Sequence, residues 1–427
     1  MEKKDSPKKQ AKGLYWANLL HFYQPLDQDR TIVEKVVNES YLPVLRIYEQ
    51  IPTAKATINI SGCLIELLIR TGFGEIVTRL KKLAESGQIE FTVTPRFHPF
   101  LPFTHEDEID RQIAGHDKIS KRYFGVYYAP RGFYSPELAY ETLVAKAAVR
   151  RGCRWLAVDE IAINGNIGQL PQDRLYMDKS AGGLLLIPRD RRLSEALSDS
   201  IFNKDKIKSS ADFLNLAGNH DRKFIFTAGD VEDFGHHRKD HHNILRLLYK
   251  ESGLISVTVS ELTNHIRKKE YCKPKPSDWM TTPEDIKNKR AFFTWNDPNN
   301  KIHKTLWELY RIAFDEIRNS AQSGDIMHNR SRDMLGAAVP SSAFFFSSCR
   351  PWWYGVHPEN AATGICLALF SLLAPSPKVK DKAFKLRQNI YDMVAEFNQA
   401  GLARKQQISY LKSRGVDIKE FYERYKG

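Results

Sequence analysis

The chain has 427 residues, 42% of them apolar, 11% aromatic and 27% charged, with a formal net charge of +13. This is ordinary globular composition, and at roughly 100–200 residues per domain it allows two or three domains, or one barrel-sized domain with an appendage. Collagen-like and membrane-spanning readings are excluded: the longest nearly uncharged apolar run, Ile365 to Ala374, stops at Pro375, short of the ~20 residues a span needs.

In chain order, the first thirteen residues, MEKKDSPKKQAKG, hold five lysines and two acids without an apolar stretch. They predict a disordered basic tail at 1–13, with no secretion signal, and a cytoplasmic protein. Short β-branched or aromatic runs then recur at Leu14–Leu20, Ala56–Ile60, Ile89–Thr94, Gly132–Tyr134, Trp155–Val158, Leu184–Ile187, Phe224–Thr227 and Ile255–Val259. Between many of them the spacing is helical: Ile76, Leu80 and Leu83 end at Gly87, and Ile109, Ile113 and Tyr123 follow the acidic start Glu106 to Glu108. This alternation predicts βαβ units and a parallel-stranded α/β domain over 14–270. No Gly-x-Gly-x-x-Gly follows any of these runs, and the polar residues sit after several different strands, as at the mouth of a barrel. Seven or eight barrel strands are expected. After about residue 270 the pattern becomes helical. Leu306, Tyr310, Ala313, Phe314 and Ile317 share one face, and so do Leu386, Ile390, Met393, Val394 and Phe397. Residues 271–427 are therefore read as a helical C-terminal region, entered through the connector Lys273-Pro274-Lys275-Pro276.

Five cysteines, odd in number and widely spaced, suggest neither a disulfide framework nor a thiolate zinc site. The basic surplus is spread over the tail, Arg189 to Arg192, Arg267 to Lys275 and Lys378 to Arg387. Scattered charge of this kind reads as solvated faces, so no nucleic-acid or membrane partner is expected.

Chemistry-bearing residues gather after the strands. The first run ends in His21-Phe22-Tyr23-Gln24-Pro25, and the third leads from Glu90 to His98-Pro99. The fourth continues into Ser135-Pro136-Glu137, a carboxylate that a proline would hold rigidly, although a helix-starting glutamate reads the same way. The seventh runs into Asp230-Val231-Glu232-Asp233-Phe234-Gly235-His236-His237, more imidazoles than a solvated acidic turn usually carries.

In these ordered blocks, and in the later Ser347-Ser348-Cys349-Arg350-Pro351-Trp352-Trp353, the chain resembles glycoside hydrolase family 57. The resemblance implies an incomplete (β/α)7 TIM-like barrel with a helical C-terminal region, acting on α-glucans or maltooligosaccharides with retention of configuration, without cofactor or metal. It makes Glu137 the nucleophile and Asp230 the general acid/base. One departure stands out, since Tyr23 occupies the position of the second histidine of the first block. Retention needs a carboxylate nucleophile and a protonated partner; burial of Asp230 beside Phe234, or the charge of Glu137, is expected to raise its pKa. His21, Tyr23, Gln24, His98, Glu232 and His236 are then expected to bind or orient sugar hydroxyls, with Arg350, Trp352, Trp353 and, more weakly, Trp295 gripping the glucan. Phe344 to Phe346 are assigned to the core.

Three alternatives stay open. Transfer or branching by a 4-α-glucanotransferase or branching enzyme would use the same intermediate as hydrolysis. His236, His237, His241, His242 and Asp230 offer spacings that suit a metal-dependent hydrolase resembling a polysaccharide deacetylase. A non-catalytic carbohydrate-binding protein is the third. The sequence does not set the oligomeric state.

Overall fold

The computed structural model describes residues 13–218, 221–320 and 326–425, so the basic tail expected at 1–13 lies, except for Gly13, outside the described residues. All eight predicted runs form strands: β1 (Tyr15–Phe22), β2 (Ala56–Ile60), β3 (Ile89–Phe91), β4 (Gly132–Tyr134), β5 (Trp155–Asp159), β7 (Leu184–Arg189), β8 (Phe224–Asp230) and β9 (Ile255–Val257). Two more, β6 (Leu175–Asp178) and β10 (Lys269–Cys272), complete the set among the described residues.

The strands form two sheets. In the first, β3, β2, β1 and β8 lie side by side, all parallel, and β9 pairs with the start of β1. In the second the order is β10, β6, β7, β5, β4, parallel except where β6 meets β7. β1 and β2 are buried almost end to end, as strands covered on both faces by helices must be. The joins between the sheets are thin. Val93 bridges to Phe133 on one side, and on the other Asp190 N–H donates to Phe226 O at 2.8 Å. What the structure shows is an α/β fold with half-barrel sheets and a helical C-terminal region.

Several helices follow the predicted spacing closely. Gly74–Glu85 buries Ile76, Leu80 and Leu83. Glu106–Phe124 begins with three acids and ends with Lys121 and Arg122, charges that suit its dipole at both ends. Downstream, Lys301–Asn319, Val356–Phe370 and Pro377–Gln399 pack against one another around Leu306, Ile365 and Ile390. Phe100 and Ala139, from the segments after β3 and β4, belong to this same core. The Lys273–Pro276 segment is not a free connector, because Lys275 N–H donates to Ala162 O at 2.7 Å. No described helix is long and apolar enough to cross a membrane.

One part of the charge reading is overturned. Arg189 and Arg191 are buried, at 6% and 3% exposure, rather than solvated. Both bind Asp159, itself wholly buried at the end of β5: Arg189 Nε at 2.9 Å and Arg191 Nη2 at 2.6 Å. Arg189 also donates to Ala228 O in β8, and Arg191 to Thr281 O. This ion cluster ties β5, β7, β8 and the 278–281 loop together. Removing one member of a buried set leaves uncompensated charge, which costs about 3–5 kcal/mol. Asp159→Ala is therefore expected to lose stability in that range in urea unfolding; a loss below about 1 kcal/mol would show that the cluster is not structural.

Candidate active site

Glu137 stands just past β4, in the left-handed region at φ 63° and ψ 17°, and Leu138 after it has φ 48°. Two non-glycine residues in succession there cost roughly 1–3 kcal/mol each, so the surroundings must hold them. They do. Ser341 Oγ donates to Glu137 Oε1 at 2.6 Å, Trp279 Nε1 donates to Oε2 at 2.7 Å, and Trp279 N–H donates to the Glu137 carbonyl at 3.2 Å. Burial raises the Glu137 pKa to about 7; the Ser341 and Trp279 donors work against it, while Asp230 and Asp278 add to it.

Two histidines lie behind this carboxyl. His21, in register with Asn59 on β2 and Asp230 on β8, places Nδ1 2.6 Å from Asn59 Oδ1 and Nε2 3.0 Å from His98 Nε2. His98, at φ 59°, places Nδ1 2.9 Å from Ser341 Oγ. Tyr134 and Tyr23 stack on the pair, Tyr134 at 4.7 Å from His21 and Tyr23 at 4.0 Å from His98. Burial lowers the His21 pKa and holds that of His98 well below the usual imidazole range. This corrects the expectation of sugar contacts: all four ring nitrogens are engaged within the protein, and the residues are only 5% and 4% exposed. Tyr23, at the position of the missing histidine, is a ring that covers His98, and its hydroxyl lies toward Ser342 without an ordinary hydrogen bond.

Asp230 closes β8 and is exposed, so the burial expected beside Phe234 is absent; Phe234 stacks on His241 instead. The charge of Asp230 reaches Glu137, His21, Tyr134 and Glu232. Glu232 is buried, accepts from Tyr41 at 2.5 Å and from Gln24 at 3.3 Å, and is pushed up to about 8 by burial and by Asp230. Gln24 is fixed further by Gln28 at 2.8 Å. His236 Nδ1 meets Glu39 Oε2 at 2.7 Å. Gly235 lets this loop approach: at φ 138°, a Cβ there would lie 1.9 Å from Glu39 O. His241 is bound to Leu197 O, and among the described residues no group of three or more His, Cys, Asp or Glu is placed to hold a metal ion.

The aromatic candidates have partners of their own within the protein. Trp295 is wholly buried, 4.8 Å from Phe100 in a parallel stack, and has no face for a sugar. Arg350 pairs with Asp297 at 2.9 Å. Trp352 packs on Phe421 and edge-on to Tyr425, and Trp353 stacks on Phe397 and donates to Asn398. The last helix, Ile418–Arg424, also reaches the Asp230 loop, since Arg424 pairs with Asp199, as does Arg238, which donates to the Tyr425 hydroxyl. Of Phe344 to Phe346, only Phe344 is wholly buried. The residues that sequence reading passed over are Trp279, Ser341, Asn59 and Tyr41. An indole just beyond a Pro-Lys-Pro segment was a usable signal for Trp279; a lone serine carries none.

The sequence profile of Glycosyl hydrolase family 57 matches residues 9–275, and the chain belongs to that family. It is 26% identical to an α-amylase of Pyrococcus horikoshii over 86% of this chain and 61% of the relative, and 27% identical to an α-amylase of Pyrococcus abyssi over 87% and 60%. The chain thus spans about three-fifths of the length of these curated relatives. In fold it is similar to the branching enzyme of Pyrococcus horikoshii, with a TM-score of 0.66 and 16% identity over 90% of this chain and 96% of the other. It is also similar to the 4-α-glucanotransferase of Thermococcus litoralis, with a TM-score of 0.65 and 17% identity over 84% and 60%.

The raised pKa of Glu137 has a consequence for stability. Between the ordinary glutamate value and about 7, the native state keeps a proton that the unfolded chain has released. Its contribution is therefore complete below the unfolded pKa and is lost as pH rises through 7. Glu137→Gln has no such proton to lose. The variant is expected to gain on the wild type, by up to about 3 kcal/mol, between pH 4 and pH 8; an equal difference in urea unfolding at both pH values would contradict this.

The packing of Trp352 against Phe421 and Tyr425 makes a second expectation. Trp352→Ala should lower the Tm through loss of this contact, rather than act chiefly on glucan binding. An unchanged Tm with weakened binding of maltoheptaose would return Trp352 to the cleft.

Proposed function

We propose that the chain is a retaining α-glucan-active enzyme that works by double displacement on an incomplete (β/α)7 barrel. Glu137 attacks the anomeric carbon and releases the aglycone oxygen, which Asp230 protonates; Asp230 then takes a proton from the incoming water or sugar hydroxyl that opens the glycosyl ester. The observation that carries this reading is the placing of the two carboxyls at the ends of β4 and β8, with both oxygens of Glu137 held by donors and the charge of Asp230 acting on it. The donors suit a carboxylate that must keep one orientation through attack. The exposure of Asp230 suits a group that exchanges protons with leaving groups and with water.

α-Amylases among the relatives support hydrolysis, the preferred outcome, since water needs no acceptor site. The similarity of one third of the chain, at 26% identity, to a 4-α-glucanotransferase of Thermococcus kodakarensis keeps transfer as the second reading. Product analysis on a single maltooligosaccharide separates them. Hydrolysis gives shorter products of retained configuration, whereas a ladder of longer chains without new reducing ends gives transfer. Asp230→Asn is expected to lose at least about a hundredfold on natural glucans and much less on substrates with good leaving groups, which need little protonation. Equal losses on both substrate types would remove Asp230 from the acid role, and near-native turnover by Glu137→Gln would remove Glu137 as nucleophile.

A further inference from the structure

The hydrogen bonds behind Glu137 form one unbroken line: Glu137 Oε1 to Ser341 Oγ, Ser341 Oγ to His98 Nδ1, His98 Nε2 to His21 Nε2, and His21 Nδ1 to Asn59 Oδ1. The far end is fixed in sense. Asn59 donates from Nδ2 to Thr92 Oγ1 at 2.8 Å, and so turns its oxygen to His21. His21 Nδ1 must then carry a proton. With both rings neutral, His98 donates from Nε2 to His21, Ser341 donates to His98 Nδ1, and the only group left to donate to Ser341 is a protonated Glu137. With Glu137 ionised, every bond between Glu137 and His21 reverses, and His21 carries both of its ring protons.

We propose that Ser341, His98 and His21 are a proton relay that takes the carboxylic proton of Glu137 inward to His21, leaving Glu137 as the anionic nucleophile. This rests on the assignment of Glu137 made above. The Glu137 O–H bond breaks as its proton joins Ser341 Oγ, the serine proton passes to His98 Nδ1, and the His98 Nε2 proton passes to His21 Nε2. Ser341 and His98 end neutral, and the net change is one O–H bond lost at Glu137 and one N–H bond gained at His21. All the hydrogen bonds of the line remain made, with Ser341 now donating to the carboxylate.

The groups around the two ends fit this transfer. Burial works against an imidazolium at His21, and facing its ring are Asp230 on β8, whose charge favours one, His98 after β3, Tyr134 on β4, Tyr23 beyond its own strand and Asn59 on β2. Facing Glu137 are Asp230, Asp278, Ser341 and Trp279, so that the two acids favour a neutral carboxyl and the two donors an anion. Ser341, His98 and His21 are thus positioning residues that act through Glu137.

Asn59→Asp tests the relay by the sign of its effect, since residue 59 touches His21 and lies four hydrogen bonds away from Glu137. A carboxylate there stabilises the His21 cation, so a relay moves the acidic limb of kcat/KM for an aryl α-maltooligoside down by about one pH unit. Without a relay, an added negative charge only repels the ionised Glu137 and moves the limb up, or leaves it in place. Ser341→Ala should abolish the downward shift in the double variant, and Ser341→Thr should restore it. A readout independent of turnover, and of whether Asn59→Asp folds, is the imidazole ¹⁵N spectrum of the ¹⁵N-histidine-labelled full chain. The relay expects His21 to show two protonated nitrogens at about pH 6 and to lose one at higher pH, as the proton that it shares with Glu137 leaves the pair. A single neutral tautomer of His21 from pH 5 to 8, or an upward or absent shift in Asn59→Asp, overturns the proposal. Should Glu137→Gln retain turnover, the nucleophile assignment fails, while the His21 spectrum still decides the relay.

Discussion

The grip of Trp279 and Ser341 on the two oxygens of Glu137 is the constraint on which the rest of the site depends. Glu137 sits at a strand end in a left-handed conformation that nothing in β4 itself stabilises. The holding groups come from far along the chain, one in the turn after β10 and one at the start of a short helix beyond residue 340. The sheets therefore carry the Glu137 carboxyl, while the region after β10 orients it. Phe100 and Ala139 buried in the helical core make the same point in apolar terms: the segments after β3 and β4 are packed from above as well as from below.

Such a site is expensive to fold. Glu137, Glu232 and Asp278 are all driven upward by burial, to about 7, 8 and 7, and carboxyls in that condition weaken the native state near neutral pH. The offset lies next door. Asp159 with Arg189 and Arg191 is the opposite kind of buried charge, a carboxylate held between two guanidiniums, and it spans the strand ends that support the Asp230 side of the site. The protein thus separates charge that is paired and holds the frame from carboxyls that burial drives toward the neutral form.

Much of this was legible in the sequence, and the failures have physical causes. Strands such as β1 and β2 are buried throughout and announce themselves as apolar runs, whereas β10, Lys269-Glu270-Tyr271-Cys272, is an exposed edge whose charged residues hide it. Positions of the key carboxyls follow from their strands, since a residue at a strand end needs no tertiary information to be placed there. Roles do not follow in the same way. His21 and His98 look like ligands until their nitrogens are seen to be taken by Asn59, Ser341 and each other. Arg189 and Arg191 look like surface charge until Asp159 is found between them. Trp295 and Trp279 are alike as isolated indoles, yet one is sealed against Phe100 and the other faces Glu137. Partners on other elements, 30 or more residues away in sequence, decide each case.

The contact of Arg424 and Tyr425 with Asp199 and Arg238 joins segments that are made far apart in time during synthesis. β1 to β8 can emerge and pair while the chain is still growing, but Glu137 lacks one donor until residue 341 has been added, and the loop beside Asp230 lacks its clasp until residue 425. A nascent chain would therefore hold a scaffold around an unassembled centre, and the centre would close only once residues 341 and 425 had been made. Delay of that kind leaves Glu137 without its full set of donors while the strands around it are being made.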